Sequence, residues 1–190
     1  MKAYFYRDGY IRTSSKEFSL HNLSNKFVHL VNDAVQKYSE DYGKFEQANK
    51  LSYPDYQKYL TLNFPEKNIH VERDIIVQVK KIVTDSIRAT FHLLDQNKRI
   101  NSYELFGYDF MFDTKFKPYL IEVNSNPSLE CSSTLLTKLF TQMLDNTFRI
   151  AVDPLFPPSS EGFSMKKSAT GIELCPENRF DLIFDERIDG

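Results

Sequence analysis

Tyr103–Glu130, YELFGYDFMFDTKFKPYLIEVNSNPSLE, is the stretch whose reading decides the fold. Phe106, Tyr108, Phe110 and Phe112 alternate with Gly107, Asp109, Met111 and Asp113, the period of two that marks a strand with unlike faces. This predicts one strand over Leu105–Asp113 and another over Pro118–Val123, joined by a two-residue turn at Lys115-Phe116. Tyr119, Ile121 and Val123 then share one side of the return strand, and Leu120, Glu122 and Asn124 the other. Such a turn sets residue 114 against 117 and 113 against 118, and further along it sets Asp109 against Glu122. The two acids would face each other with Cβ atoms roughly 5 Å apart, and Asn124 would share their face. A register slipped by one residue would put the acids on opposite faces, so the reading depends on the turn.

Like charges directly opposed across a ladder destabilise it. At this spacing the repulsion is about 1 kcal/mol in water and several-fold larger near a protein surface. Something positive must therefore lie between the acids, or one of them must hold a proton. Two carboxylates and an amide oxygen form a hard oxygen set suited to Mg²⁺ or Mn²⁺ shared with phosphates. Lys or Arg side chains could neutralise the same acids without a metal, and spacing alone favours neither.

The wording of the motif goes further. GYDFMFDTKFKPYLIEVNSNPSLE resembles the metal-binding strand pair of the tubulin–tyrosine ligase family, within the ATP-grasp group of enzymes. That family carries a Phe/Tyr-Glu/Gln-Leu-Phe/Leu-Gly-Phe/Tyr-Asp strand, followed by a Trp/Tyr-Leu-Ile/Leu-Glu-Val/Ile-Asn strand. The resemblance implies that Asp109, Glu122 and Asn124 hold the Mg²⁺ of ATP.

Outward from the hairpin, composition sets bounds. The 190 residues are one domain's length, 41% hydrophobic and 26% charged, as in an ordinary globular protein. With 24 basic and 26 acidic residues the net charge is −2, which does not suggest a nucleic-acid partner or a membrane surface. Sixteen Phe and eleven Tyr without Trp predict an aromatic-rich core. Cys131 and Cys175 form no disulfide framework and have no metal-ligand spacing. No secretory apolar region is evident, and no apolar run approaches the ~20 residues of a membrane span. A cytoplasmic location is expected.

Upstream, residues 2–13 read as a hairpin turning at Asp8-Gly9. Its first strand needs a partner beyond that hairpin to cover its aromatic face. The segment also resembles the family's Tyr-x-Tyr-Arg-x-Gly-x-x-Arg-Thr, in which Arg12 matches an arginine that reaches the ATP phosphates and the transferred group. A guanidinium suits that role because it stays charged and binds phosphate in bidentate fashion. Asn25–Tyr42 resembles a Lys-x-x-His-Leu-Thr-Asn segment, so His29 and Asn32 match residues near the γ-phosphate; Val31 replaces the usual Thr. Residues 41–64, broken by Gly43 and Pro54, read as a long irregular loop. Val71–Leu94 reads as a helix with Ile75, Ile76, Val79, Ile82, Val83 and Ile87 on its apolar stripe.

Downstream, Ser132 or Ser133 offers an N-cap for a helix running to about Ile150, stopped by the Pro-rich residues 153–158. The resemblance ends there. Residues 1–158 are expected to be the C-terminal part of an ATP-grasp domain, an α+β fold of mostly antiparallel sheet packed by two long helices. Residues 159–190 form a C-terminal extension with one added strand at FDLIF. The family's phosphate-gripping lysines and Lys-Phe-Asp-x-Arg strand have no counterpart here, so the chain reads as part of a larger enzyme or as a shortened gene product.

The resemblance implies an ATP-dependent carboxylate–amine ligase, with ATP and Mg²⁺ as cofactors. It would join a free amino acid (tyrosine, glutamate or glycine) to a tubulin C-terminal tail or to microtubules, through an acyl phosphate. Association with microtubules or cilia would follow. Asn124-Ser125-Asn126-Pro127 departs from the tyrosine ligase's Asn-Gly-Ala-Pro, which leaves the amino acid open. The rival reading is a truncated, non-catalytic module that binds tubulin or another partner through residues 41–64.

Overall fold

The computed structural model describes residues 1–157 and 178–190. The boundary expected at 158–159 and Cys175 lie outside these residues. The architecture is mixed α+β: among the described residues, three separate two-stranded antiparallel sheets stand where a single larger sheet was expected. The chain divides into two compact units. The first comprises Met1–Arg7, Glu72–Leu129 and Thr141–Gly190; the second comprises Asp8–Val71 and Glu130–Phe140.

In the first unit, β1 (Lys2–Tyr6) pairs with β6 (Phe180–Asp185). This corrects the expected N-terminal hairpin. Both of its strands form, but β1 takes its partner from the far end of the chain. Arg7 N–H continues the β1–β6 pairing by donating to Arg179 O. Helix α4 (Val77–Leu94) lies against β1 and β6 and buries Val79, Val83 and Ile87, the expected stripe. The turns before it, Val71–Ile76, are π-helical. Phe184 of β6 is 1% exposed and meets the Phe91 ring at 5.1 Å. Asp181 pins the three elements together: Arg7 of the β1 end donates to it from Nε (2.8 Å) and Nη2 (2.6 Å), and Lys80 of α4 from Nζ (2.6 Å). The short α6 (Glu186–Asp189) ends the chain.

In the second unit, β2 (Tyr10–Arg12) pairs with β3 (Lys50–Ser52), and α3 (Tyr53–Asn63) packs on both strands. Residues 53–63 are thus helical, where an irregular loop was expected. Pro54 sits in the first turn of α3, where its missing N–H costs nothing. Ser52 Oγ accepts from Asp55 N–H and caps the helix. Gly9 permits close approach: a Cβ there would lie 2.2 Å from Tyr53 Oη. Two one-turn helices follow β2, α1 (Lys26–His29) and α2 (Asp33–Gln36).

Helix α5 (Thr134–Ala151) contributes residues to both units. Ser133 Oγ accepts from Leu136 N–H at 3.2 Å, so of the two expected caps, Ser132 and Ser133, it is Ser133 that serves. Among the described residues, no helix is long and apolar enough to cross a membrane.

A candidate metal and phosphate site

Strands β4 (Gly107–Phe112) and β5 (Pro118–Asn124) form a hairpin in the first unit. Asp109 pairs directly with Glu122, and Gly107 with Asn124. Asn124 Nδ2 donates to Asp109 Oδ2 at 3.2 Å and to Glu122 Oε1 at 3.3 Å. The two carboxylates therefore lie within two hydrogen-bond lengths of each other, and one amide bridges them. A half-turn of that amide exchanges its nitrogen for its oxygen, so the three side chains can present oxygen alone. Such a set fits a hard divalent cation. Among the described residues there is no group of three or more His, Cys, Asp or Glu suited to a metal, which leaves this mixed acid–amide set as the candidate.

The turn differs from the expected one, and so does the face. Asp113 N–H donates to Lys117 O and Phe116 N–H to Asp113 O, which leaves a three-residue loop, Thr114–Phe116, with Phe116 left-handed at φ 61°. The Asp113 carboxylate holds this loop by accepting from Lys117 N–H (3.0 Å), Lys115 N–H (2.8 Å) and Tyr119 Oη (3.3 Å). The backbone N–H of Lys117 is the main cause of a lowered Asp113 carboxyl pKa. Near the turn the register is one residue off the expected one, with Met111 opposite Tyr119 and Phe110 opposite Leu120. Ile121 is then an extra residue, a bulge that restores the pairing at Asp109 and Glu122.

The expected grouping of Tyr119, Ile121 and Val123 away from the acids is thereby corrected. Tyr119, across from Met111, stands on the acid face, and alternation from Leu120 brings Ile121 there too. Met111, Tyr119 and Ile121 are 60%, 46% and 56% exposed, so an open apolar surface adjoins the acid pair. At the other end, Pro127 folds back over Gly107, where a Cβ would lie 2.8 Å from Pro127 Cβ. This closure fixes the strand end that carries Asn124.

Arg12, His29 and Asn32 lie in the second unit. Arg12 ends β2 with its guanidinium 5.8 Å from the centre of the Tyr10 ring. His29 ends α1, its Nε2 3.1 Å from Asn22 O and its ring edge-on to Phe18. Asn32 is the exposed N-cap residue of α2, with no side-chain capping bond. The next residue, Asp33, accepts from Lys50 Nζ and Tyr42 Oη, each at 2.8 Å. Partial burial works to raise the Asp33 pKa, but these two bonds outweigh it and leave the carboxyl below its ordinary value. Burial and the Asp33 bond together push Tyr42 up to about 12. Lys50 also stands opposite Arg12 in the β2–β3 ladder. Sequence reading did not single out Lys50 or Asp33, which lie in stretches without a periodic or motif signal.

The sequence profile described as the Tubulin-tyrosine ligase family matches residues 1–160. The chain belongs to the tubulin-tyrosine ligase family. It is similar to Tubulin glycylase 3B of Tetrahymena thermophila, 32% identical over 169 residues, covering 89% of this chain and 13% of the relative. Tubulin glycylase 3D of the same organism is 35% identical over 153 residues, covering 79% of this chain and 14% of the relative. Probable tubulin polyglutamylase TTLL9 of Mus musculus is 32% identical over 150 residues, covering 79% of this chain and 31% of the relative. The chain thus spans less than a third of the length of each of these proteins.

Proposed function

We propose that this chain carries the C-terminal part of an ATP-grasp catalytic region, with α4 and α5 as its two long helices. The activity is ATP-dependent ligation of an amino acid to a tubulin tail. The reading rests on family membership together with relatives named as glycylases and polyglutamylases. The observation that carries it is the Asp109–Glu122 pair bridged by the Asn124 amide.

In this reading a carboxylate oxygen of the tubulin tail attacks the γ-phosphorus of ATP, and ADP leaves. The amine of a free amino acid then attacks the acyl carbon, phosphate leaves, and the nitrogen loses a proton as the amide forms. Mg²⁺ held by Asp109, Glu122 and Asn124 would neutralise charge on the phosphate oxygens. Arg12 binds phosphate through its fixed positive charge, and His29 and Asn32 orient the terminal phosphate. No side chain of the protein acts as the nucleophile. With tubulin as acceptor, the activity would be cytoplasmic and associated with microtubules or cilia.

The test supplies microtubules, Mg²⁺, ATP and isotope-labelled glycine, glutamate or tyrosine to the longest natural protein containing this sequence. Label on tubulin that needs Glu122 supports the proposal. Unlabelled tubulin, from a folded protein that also shows no Mg²⁺-dependent ATP binding, overturns it.

A further inference from the structure

Gln36, the last residue of α2, is 1% exposed, and its side-chain amide uses its full capacity to donate and accept. Its Oε1 accepts from Ser15 N–H at 2.8 Å and from Asn49 Nδ2 at 3.4 Å. Its Nε2 donates to Leu30 O at 2.6 Å and to Phe27 O at 3.2 Å. The three segments so joined are those that bear the second unit's candidate residues. Ser15 lies three residues past Arg12, His29 lies between Phe27 and Leu30, and Asn32 opens the helix that Gln36 closes.

Asn49 completes the junction. It is 3% exposed and left-handed at φ 52°, a conformation that Asn adopts more readily than most residues. Its Nδ2 reaches Ser15 Oγ at 2.9 Å and Thr13 O at 3.3 Å, its Oδ1 accepts from Gly43 N–H at 2.8 Å, and its backbone carbonyl accepts from Thr13 N–H at 3.1 Å. Arg12 is therefore held from both sides: its strand partner Lys50 follows Asn49 directly, and Thr13 is bonded to Asn49 itself.

We infer that Gln36, together with Asn49, is a positioning residue that holds the Arg12, His29 and Asn32 segments in register for a polyphosphate ligand; the ligand rests on the function proposed above. An amide is needed because the site has two backbone carbonyls to satisfy on one side and two donors on the other. A carboxylate would face Leu30 O and Phe27 O with no proton to give, and an apolar isostere would leave buried backbone groups without their partners.

The experiment compares the 190-residue chain with Gln36→Met and with Leu60→Ala, a core truncation elsewhere in the same unit that lowers stability without touching the junction. NMR signals of Arg12 Nε–H, the His29 ring and the Asn32 amide are recorded below the melting temperature of each protein. Gln36→Met is expected to shift or broaden all three, while Leu60→Ala leaves them in place. If Gln36→Met does not fold, Gln36→Asn replaces it, drawing the amide back by one methylene. Signals unmoved by the Gln36 change, or moved equally by Leu60→Ala, would overturn the inference. Inorganic tripolyphosphate is then titrated, and its affinity is expected to fall about tenfold in the Gln36 variant. A wild-type chain that ignores tripolyphosphate would count against the phosphate reading, while the signal comparison would still decide the role of Gln36.

Discussion

Asp109 and Glu122 face each other across the β4–β5 ladder, and a single Asn124 amide donates to both. Two acids so placed repel. Glu122→Gln deletes one charge and keeps the shape. Without ligand, the melting temperature is expected to stay unchanged or to rise by up to about 2–4 °C, the equivalent of about 1 kcal/mol in a chain of this size. The stabilisation by ATP with Mg²⁺ is expected to disappear. Differential scanning fluorimetry with and without ligand reads both, and a lowered apo melting temperature with an intact nucleotide response would contradict the assignment.

Gly107 lies across from Asn124 and beneath Pro127. Gly107→Ala places a methyl 2.8 Å from Pro127 Cβ, so either the proline or the strand end must move. The cost is expected to be about 1–3 kcal/mol, typical of an overpacked site. Chemical denaturation measures it, and the Asn124 amide signal is expected to shift with it.

Asp113→Ala removes the acceptor that fixes the three-residue loop. The turn end is expected to populate the alternative register, with Met111 contacting Leu120 in place of Tyr119. Cross-strand NOEs distinguish the two registers, while the Asp109–Glu122 pairing is expected to stay.

Phe184 fills the space between β6 and α4 at 1% exposure. Phe184→Ala is expected to cost about 3–5 kcal/mol, the range for large aromatic truncations in a core. Because β6 is the partner of β1, the loss should appear as early hydrogen exchange in both strands.

Stability is expected to fall in acid. Asp33 and Asp181 are partly buried, which works to raise their pKa values, but the Lys50 and Tyr42 bonds to Asp33, and the Arg7 and Lys80 bonds to Asp181, outweigh that and lower both. The Lys16 bond lowers Asp41, and the Arg187 bond lowers Asp185. For a carboxyl held below its ordinary value of 3.8, the stabilisation is complete above that value and is lost as pH drops through the folded pKa. The melting temperature should therefore hold between about pH 5 and 7 and fall below about pH 4. Asp181→Asn should flatten part of that fall.

Strong periodicity was legible. The α4 stripe and the Ser133 cap were readable because helix spacing and capping are local. The acid pairing was anticipated from a two-residue turn that does not form, and it holds because the Ile121 bulge offsets the longer loop. The partner of β1 was not, since it lies beyond residue 177 and Asp8-Gly9 offers a plausible local turn. Helix α3 was hidden by Pro54, which breaks a helix interior but suits its first turn. The Ile121 bulge depends on how Asp113 bonds to the turn, which a count of residues cannot supply. The Gln36 junction lacks any periodic signal, because its order comes from bonds between segments up to 36 residues apart.

The bulge at Ile121 works like a paired insertion in a reading frame: the message is out of phase only between the two events. Only the turn-side half of the hairpin is out of phase with a two-residue turn, and the acid end stays in frame with it. In the present phase Tyr119 and Ile121 border the acids; in the other, Leu120 would take their place. The apolar residues beside the acids and the acid pair itself are thus separately editable along one short strand.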